Sequence, residues 1–410
     1  MRPLETITII TAVATLVTLC IRQKAKLVPF YFVILSVISV LIQILIEGAR
    51  WQMVPVYVLV GVYVIGLFAY KRIPFFDQRW VKTSAIVLGI VWAAIAIALP
   101  LVLPIFYFDQ PTGKYGVGTV TYNWVDTSRT ELFTANAADH RELTAQVWYP
   151  VDKQAQVGKK YAQYMENASY VLPALTQVFS GAVAKVPSFT LSHIGYVKSS
   201  ATLDTPIATT QQSFPVLIYL TGLGGGREFS MFQVQELVSQ GYVVVGLDQP
   251  GASASVVYPD GRHVDVKPKS EMQPIIDQSV NPQSVAPSLN GTALPDGIIP
   301  YFSQDVSFAI GQLEKLNTLD KQLVGHLDLE KLGVFGISLG GMVAGQACAS
   351  DVRLKACLIM DVAMTKDTLE KGLKQPTMWL TRTADMMRNE RSKFGGWSEA
   401  DIKSTQDTMH

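Results

Sequence analysis

The sequence predicts four membrane-spanning helices followed by an α/β domain with a mostly parallel sheet flanked by helices, residues 1–110 and 111–410 respectively. Three observations carry this. Four long apolar runs fill the first part. In the second part, short continuous apolar runs such as FPVLIYL (Phe214 to Leu220) and YVVVGL (Tyr242 to Leu247) alternate with segments of helical spacing, the pattern of strands covered on both faces. One such run, Leu332 to Phe335, leads through Gly336-Ile337-Ser338-Leu339-Gly340-Gly341 into a helix of small residues.

Composition narrows the function classes. Hydrophobic residues make up 49% of the 410 and charged residues only 16%, with the apolar excess concentrated before Pro111. The rest is large enough for a full core. A net charge of +1 argues against a polyanionic partner, so nucleic acid is not expected. The three cysteines, Cys20, Cys348 and Cys357, fit neither a disulfide framework nor a zinc site and read as core-filling or, for Cys20, lipid-facing.

The apolar runs are Leu4 to Ile21, Leu27 to Ile46, Met53 to Tyr70 and Thr83 to Phe108, each long enough to cross a hydrocarbon core as a helix. Glu5 is the one charge within them, and no intramembrane ionisable pair is evident. Pro100 and Pro104 are expected to end or kink the fourth helix. The first connecting loop carries Arg22, Lys24 and Lys26, and the third Lys71, Arg72, Arg79 and Lys82, whereas the second has only Arg50 beside Glu47. The positive-inside bias then makes loops one and three cytoplasmic and places the α/β domain outside, with Arg2 pulling the other way. The expectation is an integral, multi-pass protein whose helices anchor it in the bilayer.

Along the α/β domain, Gly116 to Asp126 and Glu142 to Tyr149 alternate as antiparallel strands, and His140 falls in the turn between them. Lys159 to Val197 reads as helical, either a cap over a cleft or a helix packed on the sheet, with His193 near its end. Phe214 to Leu220 is a central strand, followed by Thr221-Gly222-Leu223-Gly224-Gly225-Gly226 and a helix from Glu228 to Gln240. This glycine loop lacks the Lys-Ser/Thr of a phosphate-binding loop. Asp248 ends the next strand, where it either contacts substrate or, the preferred reading, caps the loop. Pro259-Asp260-Gly261 turns a hairpin that exposes His263. Gln273 to Pro300, rich in Pro, Asn and Ser, reads as a long loop or a partly disordered lid edge, and Ser303 to Leu316 as a helix. After the Ser338 turn and its helix come strands Leu354 to Met360 and Gln375 to Thr381, with Asp361 and Asp385 at their ends.

A G-x-S-x-G turn between strand and helix holds its serine in a strained backbone, with glycines where a Cβ would collide. Ser338 is therefore the candidate nucleophile, and the Leu339 amide points where a tetrahedral oxyanion would form. The glycine loop after the central strand is the natural source of a second donor, the Leu223 amide. Asp361 and Asp385 both stand where a carboxylate could orient an imidazole. No metal or organic cofactor is implied.

The segments VGTVTYNWVD, LTAQVWYPV, FPVLIYLTGLGGGRE, GYVVVGLDQPGASAS, VYPDGRHV, DVSFAIGQLEKLN, VFGISLGG and KACLIMDVAM together resemble the type II platelet-activating-factor acetylhydrolases. These are calcium-independent phospholipases A2 of the α/β-hydrolase fold. The resemblance implies an α/β-hydrolase domain that cleaves short or oxidised acyl esters from phospholipids, and it selects Asp361 over Asp385 as the triad acid. Thr221 departs from the histidine common in the family before Gly-Leu-Gly, which implies a change of substrate preference, because that loop acts through backbone N–H groups. A general carboxylesterase or polyester hydrolase, and a non-catalytic binding module on the same scaffold, are the alternatives.

Chain order in this fold places the histidine base after a final strand. Past Asp385 the sequence offers a helix from Trp397, capped by Ser398, with His410 as its last residue and no closing strand. His326 precedes the elbow and is topologically wrong. The expectation is that the chain is shortened at its C-terminus and that its base lies beyond His410, with His410 itself the lesser candidate.

Overall fold

The computed structural model describes residues 1–21, 27–69, 78–179, 187–394 and 399–407. They form two compact units, one of Met1–Phe106 with Phe189–Val197, the other of Tyr107–Ser188 with Lys198–His410.

The first unit holds α1 (Pro3–Cys20), α2 (Val28–Glu47), α3 (Val54–Ala69) and α4 (Arg79–Val102). Pro3–Cys20, Val28–Glu47, Trp51–Phe68 and Arg79–Val102 are each long and apolar enough to cross a membrane. Their burial is inverted relative to a water-soluble bundle. Thr8, Thr15, Ser36 and Gln43 are fully buried, while Leu45, Phe68 and Leu88 are exposed, as expected where the surrounding solvent is hydrocarbon. Hydroxyls join α1 to α2, with Thr15 to Ser36 at 2.8 Å and Thr11 to Ser39 at 2.9 Å. Tyr63 of α3 donates to the Ala12 carbonyl at 3.0 Å. α4 runs through Pro100 and stops at Val102, because the residue before Pro104 is disfavoured in helical backbone.

At one end of these helices the structure departs from the sequence reading, which found no ionisable pair. Glu5 is fully buried and takes Arg50 Nε at 2.6 Å and Arg50 Nη2 at 2.9 Å, with Arg2 Nε at 3.0 Å. Glu47 accepts from the Leu4 and Glu5 amides at 2.8 and 3.1 Å, capping α1. Two cations meet two carboxylates there. The pair was hidden because antiparallel helices bring together residues 45 apart in sequence.

The segment Phe189–Val197 also belongs to this unit. Trp51 Nε1 donates to the Thr190 carbonyl at 3.2 Å, and Tyr196 Oη to the Ala49 carbonyl at 2.7 Å. Trp51 and Phe189 meet edge to face at 5.4 Å. The expected helical stretch from Lys159 to Val197 is therefore broken. It holds strand β3 (Tyr161–Gln163), helix α5 (Ala168–Phe179) and the 3-10 turn Ser188–Tyr196.

The second unit is organised on a nine-stranded sheet. β1 (Gly116–Thr130) and β2 (His140–Val151) open it as an antiparallel pair, Gly116 opposite Val151. β4 (Lys198–Thr202), β5 (Phe214–Leu220), β6 (Val243–Asp248), β11 (Leu327–Ile337), β12 (Ala356–Met360) and β13 (Thr377–Leu380) complete it with β3, in the order β13-β12-β11-β5-β6-β2-β1-β4-β3. From β6 to β13 the neighbours are parallel. The connections carry α6 (Met231–Ser239), α8 (Ile299–Leu319), α9 (Leu339–Ser350) and α10 (Lys366–Lys371). α8 buries Phe302, Val306, Ala309, Ile310 and Leu313, the helical stripe legible in sequence. β7 (Ser255–Val257) and β8 (His263–Asp265) form the expected hairpin, with Gly261 at φ +86°. The stretch expected as a loop from Gln273 is corrected: α7 (Lys269–Val280) covers its start, and a small hairpin of β9 (Ser288–Leu289) and β10 (Thr292–Ala293) follows. Buried Met272, Ile275 and Ile276 on α7 outweigh the polar composition.

Glu5→Ala would leave Arg50 buried without its counter-charge. The full chain in detergent is expected to lose about 3–5 kcal/mol of bundle stability, read as earlier thermal unfolding and faster proteolysis of the first 100 residues or so. Wild-type behaviour would show that the cluster is dispensable.

Candidate active site

β11 lies between β5 and β12, and its last residue leads directly into Ser338. The Ser338 backbone sits at φ 54°, ψ −125°, a region that L residues rarely occupy. Three glycines make the turn possible. A Cβ on Gly336 would overlap the Gly340 carbonyl, and one on Gly340 would overlap the Leu220 carbonyl at the end of β5. On Gly341 it would come within 2.9 Å of Val362 Cγ1. The strained residue is held from both sides: its N–H donates to the Met360 carbonyl at 2.9 Å, and its carbonyl accepts from Gly341 and Met342 at 2.8 and 3.1 Å. Ser338 itself is exposed.

The glycine loop after β5 comes up against this turn. A Cβ on Gly222 would stand 3.2 Å from Ser338 Cβ, which puts the next residue, Leu223, beside the nucleophile. The loop is pinned elsewhere by Gly224 N–H to the Ala252 carbonyl at 2.7 Å, Gly225 N–H to the Gly222 carbonyl at 2.9 Å, and Ala254 N–H to the Gly225 carbonyl at 2.7 Å. Among the described residues, neither the Leu223 nor the Leu339 amide donates to an internal acceptor. The Leu339 amide is the first of α9, where helical geometry leaves it unsatisfied.

The two candidate acids differ in setting. Asp361 follows β12 at φ 57°, with its amide bonded to the Leu380 carbonyl at 2.7 Å. The Ser338–Met360 hydrogen bond places it one residue from the elbow. Its Oδ1 accepts from Arg382 Nε at 2.6 Å, and Arg382 also reaches Glu390. Asp385 is 89% exposed on the side chain and, among the described residues, pairs with Arg388 at 3.3 Å. Arg382 was not singled out in sequence, where nothing distinguishes it from a surface cation beside a strand end.

No described histidine contacts Ser338 or Asp361. His140 is exposed at the start of β2. His193 is buried in the first unit, with Nδ1 on the Thr190 carbonyl at 3.1 Å, and burial holds its pKa below the usual imidazole value. His263 lies against Tyr170, ring centroids 4.8 Å apart, and His326 Nδ1 faces the Gln212 carbonyl at 3.1 Å. His410, Trp397 and Ser398 lie outside the described residues.

Asp248 caps structure, as expected. It takes the Arg227 amide at 2.8 Å and the Arg227 guanidinium. The cysteines differ from the sequence reading. Cys348 of α9 and Cys357 of β12 are joined as a disulfide, Cα atoms 6.6 Å apart. A helix packed on the strand that follows it brings the two thiols together, which spacing alone did not reveal. Among the described residues no group of His, Cys, Asp and Glu is arranged to hold a metal ion.

The sheet order, the parallel half of the sheet and the strained serine elbow define an α/β-hydrolase fold. Residues 215–391 match the family model described as the alpha/beta hydrolase fold, and a ferulic acid esterase from Streptomyces cinnamoneus superposes with a TM-score of 0.50 at 19% identity, covering 73% of this chain and 74% of that one. Residues 106–282 match the family model described as platelet-activating factor acetylhydrolase, isoform II. Over those residues the chain is similar to that family. It is 23% identical over 207 residues to a platelet-activating factor acetylhydrolase of Canis lupus familiaris, covering 48% of this chain and 46% of that protein. It is 20% identical over 185 residues to one of Gallus gallus, covering 41% and 44%. The chain thus spans less than half the length of the curated relatives it matches.

Gly340→Ala forces a methyl group into the Leu220 and Thr221 carbonyls. It is expected to lower stability by about 2–3 kcal/mol and to abolish any activity that depends on Ser338, measured by denaturant unfolding and ester turnover on the same preparation. A stable, fully active G340A protein would show that the elbow tolerates a wider turn.

Proposed function

We propose that this chain is a membrane-anchored serine esterase acting on short or oxidised acyl esters of phospholipids. The observation that carries the reading is the exposed Ser338 on a left-handed backbone, next to two amides with no internal acceptor. Backbone strain of this kind in a non-glycine residue clusters at active sites. In the proposed cycle Ser338 Oγ attacks the ester carbonyl and gives its proton to an imidazole oriented by Asp361. The carbonyl oxygen, now an anion, is held by the Leu223 and Leu339 N–H groups. Collapse expels the lysophospholipid, which takes up that proton, and water then releases the acid from the serine ester. The base is not among the described histidines, and His410 is outside them.

The phospholipid substrate is inferred from the resemblance to the platelet-activating factor acetylhydrolases and fits a protein with four spans of membrane length. One feature beyond the loop charges favours an extracytoplasmic hydrolase domain: the Cys348–Cys357 bond suits an oxidising compartment. A second reading, a non-catalytic binding module, is favoured by one contact, the hold of Arg382 on Asp361.

Membranes containing the full chain are expected to release acetate from 2-acetyl phosphatidylcholine well above the rate for long-chain phosphatidylcholine, and Ser338→Ala is expected to lower that rate at least about a thousandfold. Equal rates on p-nitrophenyl esters and short-acyl phospholipids would point to a general carboxylesterase. Turnover that survives Ser338→Ala would remove the serine from the mechanism.

A further inference from the structure

Directly after the glycine loop, Arg227 enters the protein interior and is 5% exposed. Gly246 on β6 makes room for it, since a Cβ there would stand 2.9 Å from Arg227 Cβ. Its Nε donates to Gln146 Oε1 at 3.0 Å, its Nη1 to Asp248, and its Nη2 to Glu166 Oε2 at 2.8 Å. A third carboxyl, Glu228, is 4% exposed beside this group and takes no side-chain donor among the described residues. It folds back onto the loop: a Cβ on Gly226 would lie 2.9 Å from Glu228 Oε2. The groups facing it are Asp248 from β6, Glu166 from the segment before α5, Arg227, and the phenols of Tyr164 and Tyr219. One guanidinium thus serves three carboxyls, and only two of them hydrogen-bond it.

We propose that Glu228 is a positioning residue of the oxyanion loop, neutral when the loop is competent, and that its ionisation places a negative charge beneath the loop and weakens oxyanion binding. This deepens the esterase reading and rests on it. Burial, with the Asp248 charge beside it, raises the Glu228 pKa to about 7 against the opposing pull of Arg227. The unfolded chain holds that proton only up to the ordinary glutamate value near 4.5. Because the folded pKa is the raised one, the stability it confers is complete below about 4.5 and is lost as pH rises through about 7. A buried anion near a site that must stabilise a developing anion disfavours the transition state by a like-charge interaction.

Two readouts on the full chain in detergent test this. Between pH 5 and 8 the wild-type Tm is expected to fall by about 5 °C more than that of Glu228→Gln. The wild-type kcat/KM for p-nitrophenyl acetate is expected to carry an alkaline limb near pH 7, on the order of tenfold, that Glu228→Gln lacks while KM changes little. Parallel Tm curves for the two proteins would overturn the buried proton. An alkaline limb that persists in Glu228→Gln would overturn its coupling to the loop. The Tm comparison needs no turnover, so a chain without esterase activity would defeat the functional reading while this ionisation was still being measured.

Discussion

The hydrolase unit depends on one constraint, the left-handed backbone of Ser338. At φ 54° a serine costs on the order of 1–3 kcal/mol relative to relaxed backbone, and it stays there because neighbours leave no alternative. β11 delivers the chain between β5 and β12, the Met360 carbonyl takes the Ser338 amide, and α9 begins at once behind it. Gly336, Gly340 and Gly341 let the three elements approach to distances that no side chain could occupy. The strain is offset by the packing of the whole parallel half of the sheet, so the site is only as precise as those contacts.

A second layer holds the facing loop. Buried Arg141 binds Asp305 of α8 and Glu131, and Gln249 donates to the same Asp305 at 2.8 Å. That fixes the stretch after β6, whose Ala252 carbonyl and Ala254 amide then grip Gly224 and Gly225. Arg227 and Asp248 clamp the other end of the loop. These pairs are fully desolvated, so their worth lies in fixing one geometry more than in net stability. Amide donors aimed at empty space gain their electrostatic value only if they cannot relax, which is what both clamps ensure.

Much of this was legible in the sequence because local chemistry dictates it. Ser338 stood out through glycines that only a tight strand–helix turn requires, and β5 and β6 through unbroken apolar runs. Four spans followed from length and apolarity alone. What was not legible is pairing between distant residues. Nothing in the sequence says that Glu5 and Arg50 meet, that Cys348 reaches Cys357 across a helix–strand contact, or that Phe189–Val197 packs with the four apolar helices. α7 was missed because its apolar stripe is thin and its composition favours turns. Asp361 and Asp385 could not be separated by strand position, and their environments differ plainly: one lies beside the elbow and ion-paired, the other is in solvent.

The central claim is that Ser338 is a nucleophile and not only a strained turn. Its most direct test is covalent. The full chain in native membranes would be treated with a fluorophosphonate, digested, and its peptides mapped by mass spectrometry. The account predicts a single phosphonylated serine in the peptide containing Gly336 to Gly341, with labelling blocked by prior exposure to a short-acyl phospholipid. An unmodified Ser338 peptide, recovered from protein that labels elsewhere or not at all, would contradict it.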